Sequence, residues 1–291
     1  MSGIISGKTR ICGLIGDPVE HTMSPAMHNA AFQEMAIDYV YLPFRVRGED
    51  LGKAIEGMKA LNMRGLNVTI PHKVAVLRLL DKLDPLAEKI GAVNTIVNDD
   101  GVLTGYNTDA SGFLQALLEK GAKPEGKNAV VLGAGGASRA ISFILADRGA
   151  NLVILNRQQE MDWAVELANR ISETFTREVV AIELNRDNLT RVLEEADILV
   201  NATSVGMTPN TDGSLVPSDL LRTGLVVYDI VYNPIKTRLL KEAEVAGAET
   251  IGGIDMLVWQ GALAFEKWTG LKPPVKLMKE EATKLLDKHE N

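Results

Sequence analysis

One stretch in the middle of the chain restricts the possible folds more than any other, because an apolar strand, a glycine-rich turn and a helix follow one another directly. The strand covers residues 128–132, the turn is Gly133-Ala134-Gly135-Gly136-Ala137, and the helical run covers 139–146. Glycines permit a tight turn, and a helix N-terminus offers unpaired N–H groups to a pyrophosphate. Ser138 stands where the strict motif has its third glycine. This order of elements predicts a dinucleotide site.

The next strand, residues 151–155, bears on the choice of dinucleotide. It ends in Asn156-Arg157, where an NAD-type fold would place an acid against the ribose 2′-hydroxyl. Arg157 is instead suited to hold a 2′-phosphate, so the residues favour NADP. A solvated arginine at a strand end is the alternative.

Further apolar segments continue the alternation of strands and helices. Strands are predicted at 179–182, 198–203 and 225–231, with helices at 161–168 and 189–193 between them. Apolar strands separated by helices indicate a parallel sheet covered on both faces, which is a doubly wound Rossmann arrangement.

The earlier third of the chain alternates in the same way and predicts a second α/β domain. Its predicted strands cover 9–15 and 39–44, and its helices cover 25–34 and 50–61. At 291 residues and 46% hydrophobic composition, two compact domains fit better than one. We expect a first domain at 1–109, completed by 253–291 whose helices pack back onto it, and a dinucleotide domain at 110–252, with a cleft between them.

A polar segment in the first domain is the candidate substrate site. In Asn67-Val68-Thr69-Ile70-Pro71-His72-Lys73, strand alternation puts Asn67 and Thr69 on one face and turns Val68 and Ile70 into apolar packing. Pro71 suits the first turn of a helix predicted from Lys73 to Leu80. Lys73 then lies where strand gives way to helix, although a solvated lysine is the simpler interpretation.

Two further polar residues follow in the sequence. Residues 91–97 read as a strand with Asn94 exposed among apolar neighbours, and Asp109 precedes a helical run at 112–118. Asp109 alone is most simply a helix cap or first-turn acid. A lysine and an aspartate at strand ends could also meet across a cleft.

Composition excludes several classes of protein and site. A net charge of −7 argues against a nucleic-acid binder, and no uncharged apolar run reaches the length of a membrane span. The single cysteine, Cys12, predicts a buried thiol and fits a reducing cytoplasm. The four histidines form no helical metal motif, so we expect no metal.

Seven motifs, taken together and in order, closely resemble those of the shikimate dehydrogenase family, and they span nearly the whole chain. They are His21-Thr22-Met23-Ser24-Pro25, the segment from Asn67 to Lys73, Gly91-Ala92-Val93-Asn94-Thr95, Asn107-Thr108-Asp109, the glycine turn, Asn156-Arg157 and the segment from Gly253 to Ala262. The resemblance implies a cytoplasmic enzyme, monomer or homodimer, that reduces 3-dehydroshikimate to shikimate with NADPH on the route to aromatic amino acids.

The resemblance also assigns roles to individual positions. It makes Lys73 the catalytic lysine and Asp109 its paired carboxylate. The substrate-binding positions are Thr22, Ser24, Asn67, Thr69, Asn94, Tyr232 and Gln260. The cofactor-binding positions are Gly133, Ala134, Gly135, Gly136, Ala137, Asn156, Arg157, Thr203, Ile230 and Gly253.

The chain departs from the family pattern at two places. Thr22 stands where the family commonly has serine, and Gln158 and Met161 stand where it commonly has threonine and a second arginine. Without that second arginine the selectivity for NADP is expected to be less strict, so NAD is a possible, weaker alternative cofactor. Two alternative functions are compatible with the sequence: a quinate or dual quinate/shikimate dehydrogenase, and a non-catalytic dinucleotide-responsive binding protein.

Overall fold

A computed structural model describes residues 5–289 and divides the chain into two compact units. One unit comprises the residues up to Thr108 together with those from Val258 onward, and the other is Asp109–Leu257. The boundaries expected from sequence lie at 109/110 and 252/253.

The first unit is a mixed sheet with helices. Its elements are β1 (Arg10–Gly16), α1 (Ser24–Glu34), β2 (Tyr39–Arg45), α2 (Leu51–Ala60), β3 (Gly65–Val68), β4 (Lys82–Leu83), α3 (Pro85–Ile90), β5 (Thr95–Asp99) and β6 (Val102–Tyr106). The strand order is β2-β1-β3-β5-β6-β4, in which β5 runs antiparallel to β3 and β6. The ends of β1, β3 and β6 and the start of β5 therefore lie at one edge of the sheet.

The second unit has the predicted parallel, doubly wound sheet. Its elements are α4 (Thr108–Glu119, beginning at the boundary), β7 (Asn128–Leu132), α5 (Gly136–Asp147), β8 (Asn151–Asn156), α6 (Met161–Phe175), β9 (Val179–Glu183), α7 (Arg186–Leu193), β10 (Ile198–Asn201), β11 (Val226–Asp229), α8 (Arg238–Val245) and β12 (Glu249–Ile251). The order β12-β11-β10-β7-β8-β9 reverses between β10 and β7. Ligands of such sheets bind outside the carboxyl ends of the strands at this reversal.

The C-terminal helices belong with the first unit, as predicted. These are α9 (Gly253–Thr269), which begins in the second unit, and α10 (Val275–His289), which packs against α1. Trp268 is buried and donates from its indole nitrogen to the Ile96 carbonyl at 3.0 Å. A Cβ on Gly65 would lie 2.0 Å from that nitrogen, so only glycine lets the tryptophan approach β3. No helix among residues 5–289 is both long and apolar enough to cross a membrane.

Several local predictions in the first unit were wrong. Because β3 ends at Val68, strand alternation stops there, and Ile70 is 70% exposed instead of packed. The helix predicted from Lys73 to Leu80 is a short 3-10 helix at Ala75–Leu79. The strand predicted from residue 91 begins at Thr95, since Gly91 closes α3 in the left-handed region at φ 69°.

Candidate functional site

Buried hydrogen bonds connect several predicted substrate residues at the edge of the first sheet. The Tyr41 hydroxyl donates to Asn67 Oδ1 at 2.7 Å. The Asn67 amide nitrogen donates to the Asn94 carbonyl at 3.2 Å and to Thr95 Oγ1 at 3.1 Å. Both amide hydrogens are therefore used inside the protein. Toward a ligand, Asn67 can only accept a hydrogen bond through its remaining lone pair, which suits a hydroxyl and not a carboxylate.

Asn94 is buried, which corrects the prediction that it is exposed. Its Oδ1 accepts from the Thr108 backbone N–H at 2.6 Å and from the Thr95 hydroxyl at 3.2 Å. The isolated strand pattern could not reveal this, because Thr108 is 14 residues away in sequence. Asn94 thereby fixes the first residue of α4.

Asp109 is the next residue of α4 and lies in its first turn, where it is 9% exposed. A carboxylate there is stabilised by the unpaired N–H groups of the helix start. The placement agrees with the simple capping interpretation and keeps Asp109 at the end of the segment that Asn94 and Thr108 hold.

Lys73 lies in a fixed segment and is half-buried. Its carbonyl accepts from the Val93 N–H at 2.8 Å. The preceding His72 is buried, and its Nε2 donates to the Val46 carbonyl at 2.7 Å, since a carbonyl can only accept. His72 N–H also donates to the Thr69 carbonyl at 2.9 Å. These bonds hold the backbone on either side of the lysine.

The remaining predicted substrate residues lie on neighbouring segments of the first unit, except Tyr232. Thr22 Oγ1 accepts from the Ser24 N–H at 3.3 Å just before α1, and Ser24 is buried. A Cβ on Gly16 would lie 2.2 Å from Thr69 Cγ2, so glycine at the end of β1 makes room for Thr69. Gln260 is a half-buried residue of α9.

A buried histidine, His28, packs against Tyr41. The His28 ring is buried and stacks on the Tyr41 ring with centroids 4.4 Å apart. Neither of its nitrogens has a hydrogen-bond partner among residues 5–289, and burial lowers the pKa of His28 to about 3. Burial raises the pKa of Tyr41, and the Ser24 hydroxyl partly offsets that effect. Both rings are neutral, so the network rests on uncharged aromatic packing.

The glycine turn of the second unit has the form that a pyrophosphate needs. Gly133 adopts φ +98°, which favours glycine, and a Cβ there would lie 2.8 Å from Thr203 Cγ2. Gly135 and Gly136 are exposed, and a Cβ on either would meet no atom of the described part of the chain within 4 Å. The start of α5 thus faces open space beside its unpaired N–H groups. Among the described residues, this turn fits a dinucleotide phosphate.

Ser138 occupies the position of the third glycine without disturbing the turn. It is fully buried, and its hydroxyl donates to the Gly133 carbonyl at 2.5 Å. The hydroxyl is small enough for close packing of α5 and has a partner, so the departure from the strict motif leaves the turn intact. Ala134 and Ala137 complete the turn and are half-buried.

The end of β8 carries an ion pair that the sequence pattern did not predict. Asn156 is buried, and its amide donates to the Glu160 carbonyl at 2.8 Å. The Arg157 guanidinium pairs with the Glu160 carboxylate. That hydrogen bond lowers the pKa of Glu160 and raises that of Arg157. The acid absent from the strand end is thus present three residues later.

The ends of β10 and β11 form a second buried network. Asp229 Oδ2 accepts from the Thr237 hydroxyl at 2.7 Å, and Oδ1 accepts from the Asn201 amide at 2.9 Å. Asn201 Oδ1 in turn accepts from the Thr203 hydroxyl at 2.7 Å. Burial raises the pKa of Asp229 to about 6 despite these hydrogen bonds. The network fixes Thr203 next to Gly133.

The remaining predicted residues of the second unit follow β11. A Cβ on Gly253 would lie 2.2 Å from the Ile230 carbonyl oxygen, so the start of α9 packs directly on that backbone. This contact brings Ile230 and Gly253 together. Tyr232 is 37% exposed, and burial raises its pKa.

The residues that organise these edges and were missed from the sequence include Tyr41, His72, Glu160, Asn201 and Asp229. Tyr41 reads as an ordinary strand aromatic, and its partner Asn67 is 26 residues away. Glu160 had a detectable signal, because an acid three residues after an arginine is a helical pairing distance.

Comparison with protein families gives three matches along the chain. Residues 14–96 match the shikimate dehydrogenase substrate binding domain, 116–230 match shikimate / quinate 5-dehydrogenase, and 253–283 match the shikimate 5′-dehydrogenase C-terminal domain.

Individual relatives extend over nearly the whole chain. The "Shikimate dehydrogenase (NADP(+))" of Methanopyrus kandleri is 52% identical, over 95% of this chain and 96% of that protein. The protein of the same name from Dehalococcoides mccartyi (strain CBDB1) is 49% identical, over 96% of each. Shikimate 5-dehydrogenase from Listeria monocytogenes, solved with shikimate and NAD, is 43% identical over 96% of this chain and 98% of that one, with a TM-score of 0.92.

Proposed function

The chain belongs to the shikimate dehydrogenase family, and from that premise we propose that it catalyses the reversible, NADP-dependent reduction of 3-dehydroshikimate to shikimate. The relatives named above carry that activity in their names and cover nearly the full chain. We place the enzyme in the cytoplasm, as a monomer or homodimer that binds neither nucleic acid nor membrane.

One observation of the structure supports the proposal most strongly. At a single edge of the first sheet, short polar side chains are held by buried hydrogen bonds beside a fixed, half-buried lysine. A polyhydroxylated ring needs several such donors and acceptors, because each buried hydroxyl left unpaired costs about 1–3 kcal/mol.

The proposed substrate contacts follow from the donors and acceptors of that edge. Asn67 accepts from a ring hydroxyl, since its amide hydrogens are already used. Thr22, Ser24, Thr69, Asn94 and Gln260 complete the contacts in the first unit. We assign Tyr232 to the substrate carboxylate from its match to the family motif.

We propose that Lys73 acts on the reacting oxygen. It either transfers a proton to the developing alkoxide or stabilises its charge, and backbone hydrogen bonds of His72 to Thr69 and of Lys73 to Val93 hold the backbone that carries the amine. Asp109 accepts a hydrogen bond from a substrate hydroxyl. Both roles come from residues at the family's motif positions.

The second unit holds the cofactor, which when bound supplies or accepts the hydride. The open N-terminus of α5 at Gly135 and Gly136 receives the pyrophosphate, and Arg157 contacts the 2′-phosphate. Ala134, Ala137, Asn156 and Thr203 line the turn and the strand ends, while Ile230 and Gly253 line the nicotinamide side.

Steady-state assays of the purified protein test the function. Shikimate or quinate is supplied with NADP⁺ or NAD⁺, and formation of the reduced nicotinamide is followed by absorbance. We expect the highest kcat/KM for shikimate with NADP⁺. Higher kcat/KM for quinate would transfer the assignment to quinate, which Thr22 and the matched shikimate / quinate family keep as the second candidate. If neither shikimate nor quinate is turned over, the remaining function is that of a non-catalytic dinucleotide-binding protein.

A further inference from the structure

The cofactor edge of the second unit contains a negative charge beside its proposed phosphate ligand. Arg157 is the cation at the end of β8, and the neighbouring positions Gln158 and Met161 are uncharged. The carboxylate of Glu160 pairs with the Arg157 guanidinium. A phosphate approaching this arginine would therefore meet a guanidinium that already has an anionic partner.

The backbone holds Glu160 in place. Its N–H donates to the Arg157 carbonyl at 2.9 Å, and its own carbonyl accepts from the buried Asn156 amide at 2.8 Å. The side chain of Glu160 is 22% exposed, whereas that of Arg157 is 66% exposed. The backbone of Glu160 is thus fixed and its side chain is the more buried member of the pair, while the arginine is the more exposed member.

The two ligands differ in how they interact with such a pair. A 2′-phosphate competes with the carboxylate for the guanidinium and is repelled by the carboxylate at short range. A 2′-hydroxyl carries no charge, and it can donate to a carboxylate oxygen. The pair therefore weakens NADP binding and leaves NAD binding unaffected or favoured.

We propose that Glu160 is a specificity-determining residue, which lowers the preference for the 2′-phosphate by acting as the counter-ion of Arg157. The proposal rests on the proposed function, in which the end of β8 contacts the adenosine ribose. It predicts that this chain, despite its strand-end arginine, has only a modest preference for NADP.

Calorimetric titration of NADP⁺ and NAD⁺ into wild-type protein and Glu160→Gln tests the proposal through Kd, independently of turnover. Glutamine keeps the shape of the side chain and removes the charge. We expect the Kd for NADP⁺ to fall about threefold to tenfold and the Kd for NAD⁺ to stay unchanged or rise. The gain should shrink at high salt, which screens exposed charges.

Asp162→Asn is the matched control, because Asp162 is an exposed acid in the first turn of α6, two residues from Glu160. It removes the same charge without removing the partner of Arg157. An equal gain in NADP⁺ affinity from Asp162→Asn would overturn the proposal, as would an unchanged ratio of the two Kd values in Glu160→Gln. Thermal unfolding of each variant checks that the fold is retained.

A second arm isolates the role of Arg157. In an Arg157→Ala background, Glu160→Gln should give a smaller gain for NADP⁺, because the carboxylate has lost the cation that it neutralises. A full gain in that background would contradict the counter-ion role. Absence of shikimate turnover in a wild-type protein that binds both dinucleotides would instead count against the proposed function and leave this inference intact.

Discussion

The two units build their candidate binding edges from opposite materials. In the first unit, side chains form the edge: Tyr41, Asn67 and Asn94 are buried and joined by hydrogen bonds. In the second unit, the candidate phosphate site at the start of α5 is open because Gly135 and Gly136 have no side chains. The first edge should therefore fail when atoms are removed, and the second when atoms are added.

The difference follows from what each ligand requires. A ring with several hydroxyls needs directed donors and acceptors, which only positioned side chains supply. A pyrophosphate is bound by backbone N–H groups, so side chains only obstruct it. The ion pair of Arg157 with Glu160 lies at the strand end where the two dinucleotides differ.

The largest expected effect comes from removing the amine of the first edge. Lys73→Ala should lower kcat at least about 10²-fold while leaving the Kd for NADP⁺ within about twofold, because the role we propose for the lysine is to act on the substrate oxygen. Lys53→Ala is the control, since Lys53 is exposed and paired with Asp50. Near-normal kcat in Lys73→Ala would reduce that residue to a surface charge.

Acid should affect the two units in opposite directions. In the folded protein the pKa of His28 is lowered to about 3, so below pH 6.5 the unfolded state binds a proton that the folded state does not. The contribution of His28 to stability is therefore complete above pH 6.5 and is lost as the pH falls toward 3. In the folded protein the pKa of Asp229 is raised to about 6, so between pH 3.8 and pH 6 the folded state binds a proton that the unfolded state does not. The contribution of Asp229 to stability is therefore complete below pH 3.8 and is lost as the pH rises through 6.

Hydrogen exchange of each unit, corrected for intrinsic rates, measures this contrast. Between pH 7 and pH 5 the first unit should lose about 2 kcal/mol from His28, while the second gains from Asp229. His28→Leu should remove most of the loss, because it deletes the titrating nitrogens. Equal acid sensitivity of His28→Leu and wild type would contradict this account of the buried imidazole.

A smaller effect is expected from the hydroxyl of Tyr41. Tyr41→Phe leaves Asn67 Oδ1 without its 2.7 Å donor, which should cost about 1 kcal/mol of unfolding free energy. Because Asn67 would lose its fixed orientation, the KM for shikimate should rise severalfold with a smaller change in kcat. Tyr39→Phe in the same strand is the control, and an equal KM for the two variants would make Tyr41 purely structural.

The same contrast explains what could be predicted from sequence. The order of β7, the turn and α5 is local, so it was correctly predicted, and so was the parallel sheet that follows from apolar strands between helices. The three-residue strand β12 is too short to give a periodic signal. The residue pattern singled out Asn94 but wrongly predicted it to be exposed, because its partner Thr108 comes from another element.

Errors arose where local patterns end. The sequence pattern of β3 extends the apolar alternation to Ile70, but the strand ends at Val68 and the Ile70 side chain is exposed. The ion pair at the cofactor edge was missed for a different reason: the strand end at Arg157 has no acid, but the following turn brings the Glu160 carboxylate to the guanidinium. The three-residue spacing of Arg157 and Glu160 fits a helical pair, but the spacing alone does not show whether the turn adopts the backbone that brings them together.

We propose that the side-chain edge of the first unit binds shikimate and that the open turn of the second binds NADP⁺. Calorimetric titration of both ligands into Thr69→Val and Gly136→Val tests it most directly. Thr69→Val removes one hydroxyl, and Gly136→Val adds a side chain where a Cβ meets no protein atom within 4 Å. Gly52→Val is the control for a glycine in the first turn of another helix with equally open surroundings. We predict that Thr69→Val weakens only shikimate binding and Gly136→Val weakens only NADP⁺ binding, each by at least about tenfold; loss of the opposite ligand in either variant, or unchanged affinity in both, would contradict the account.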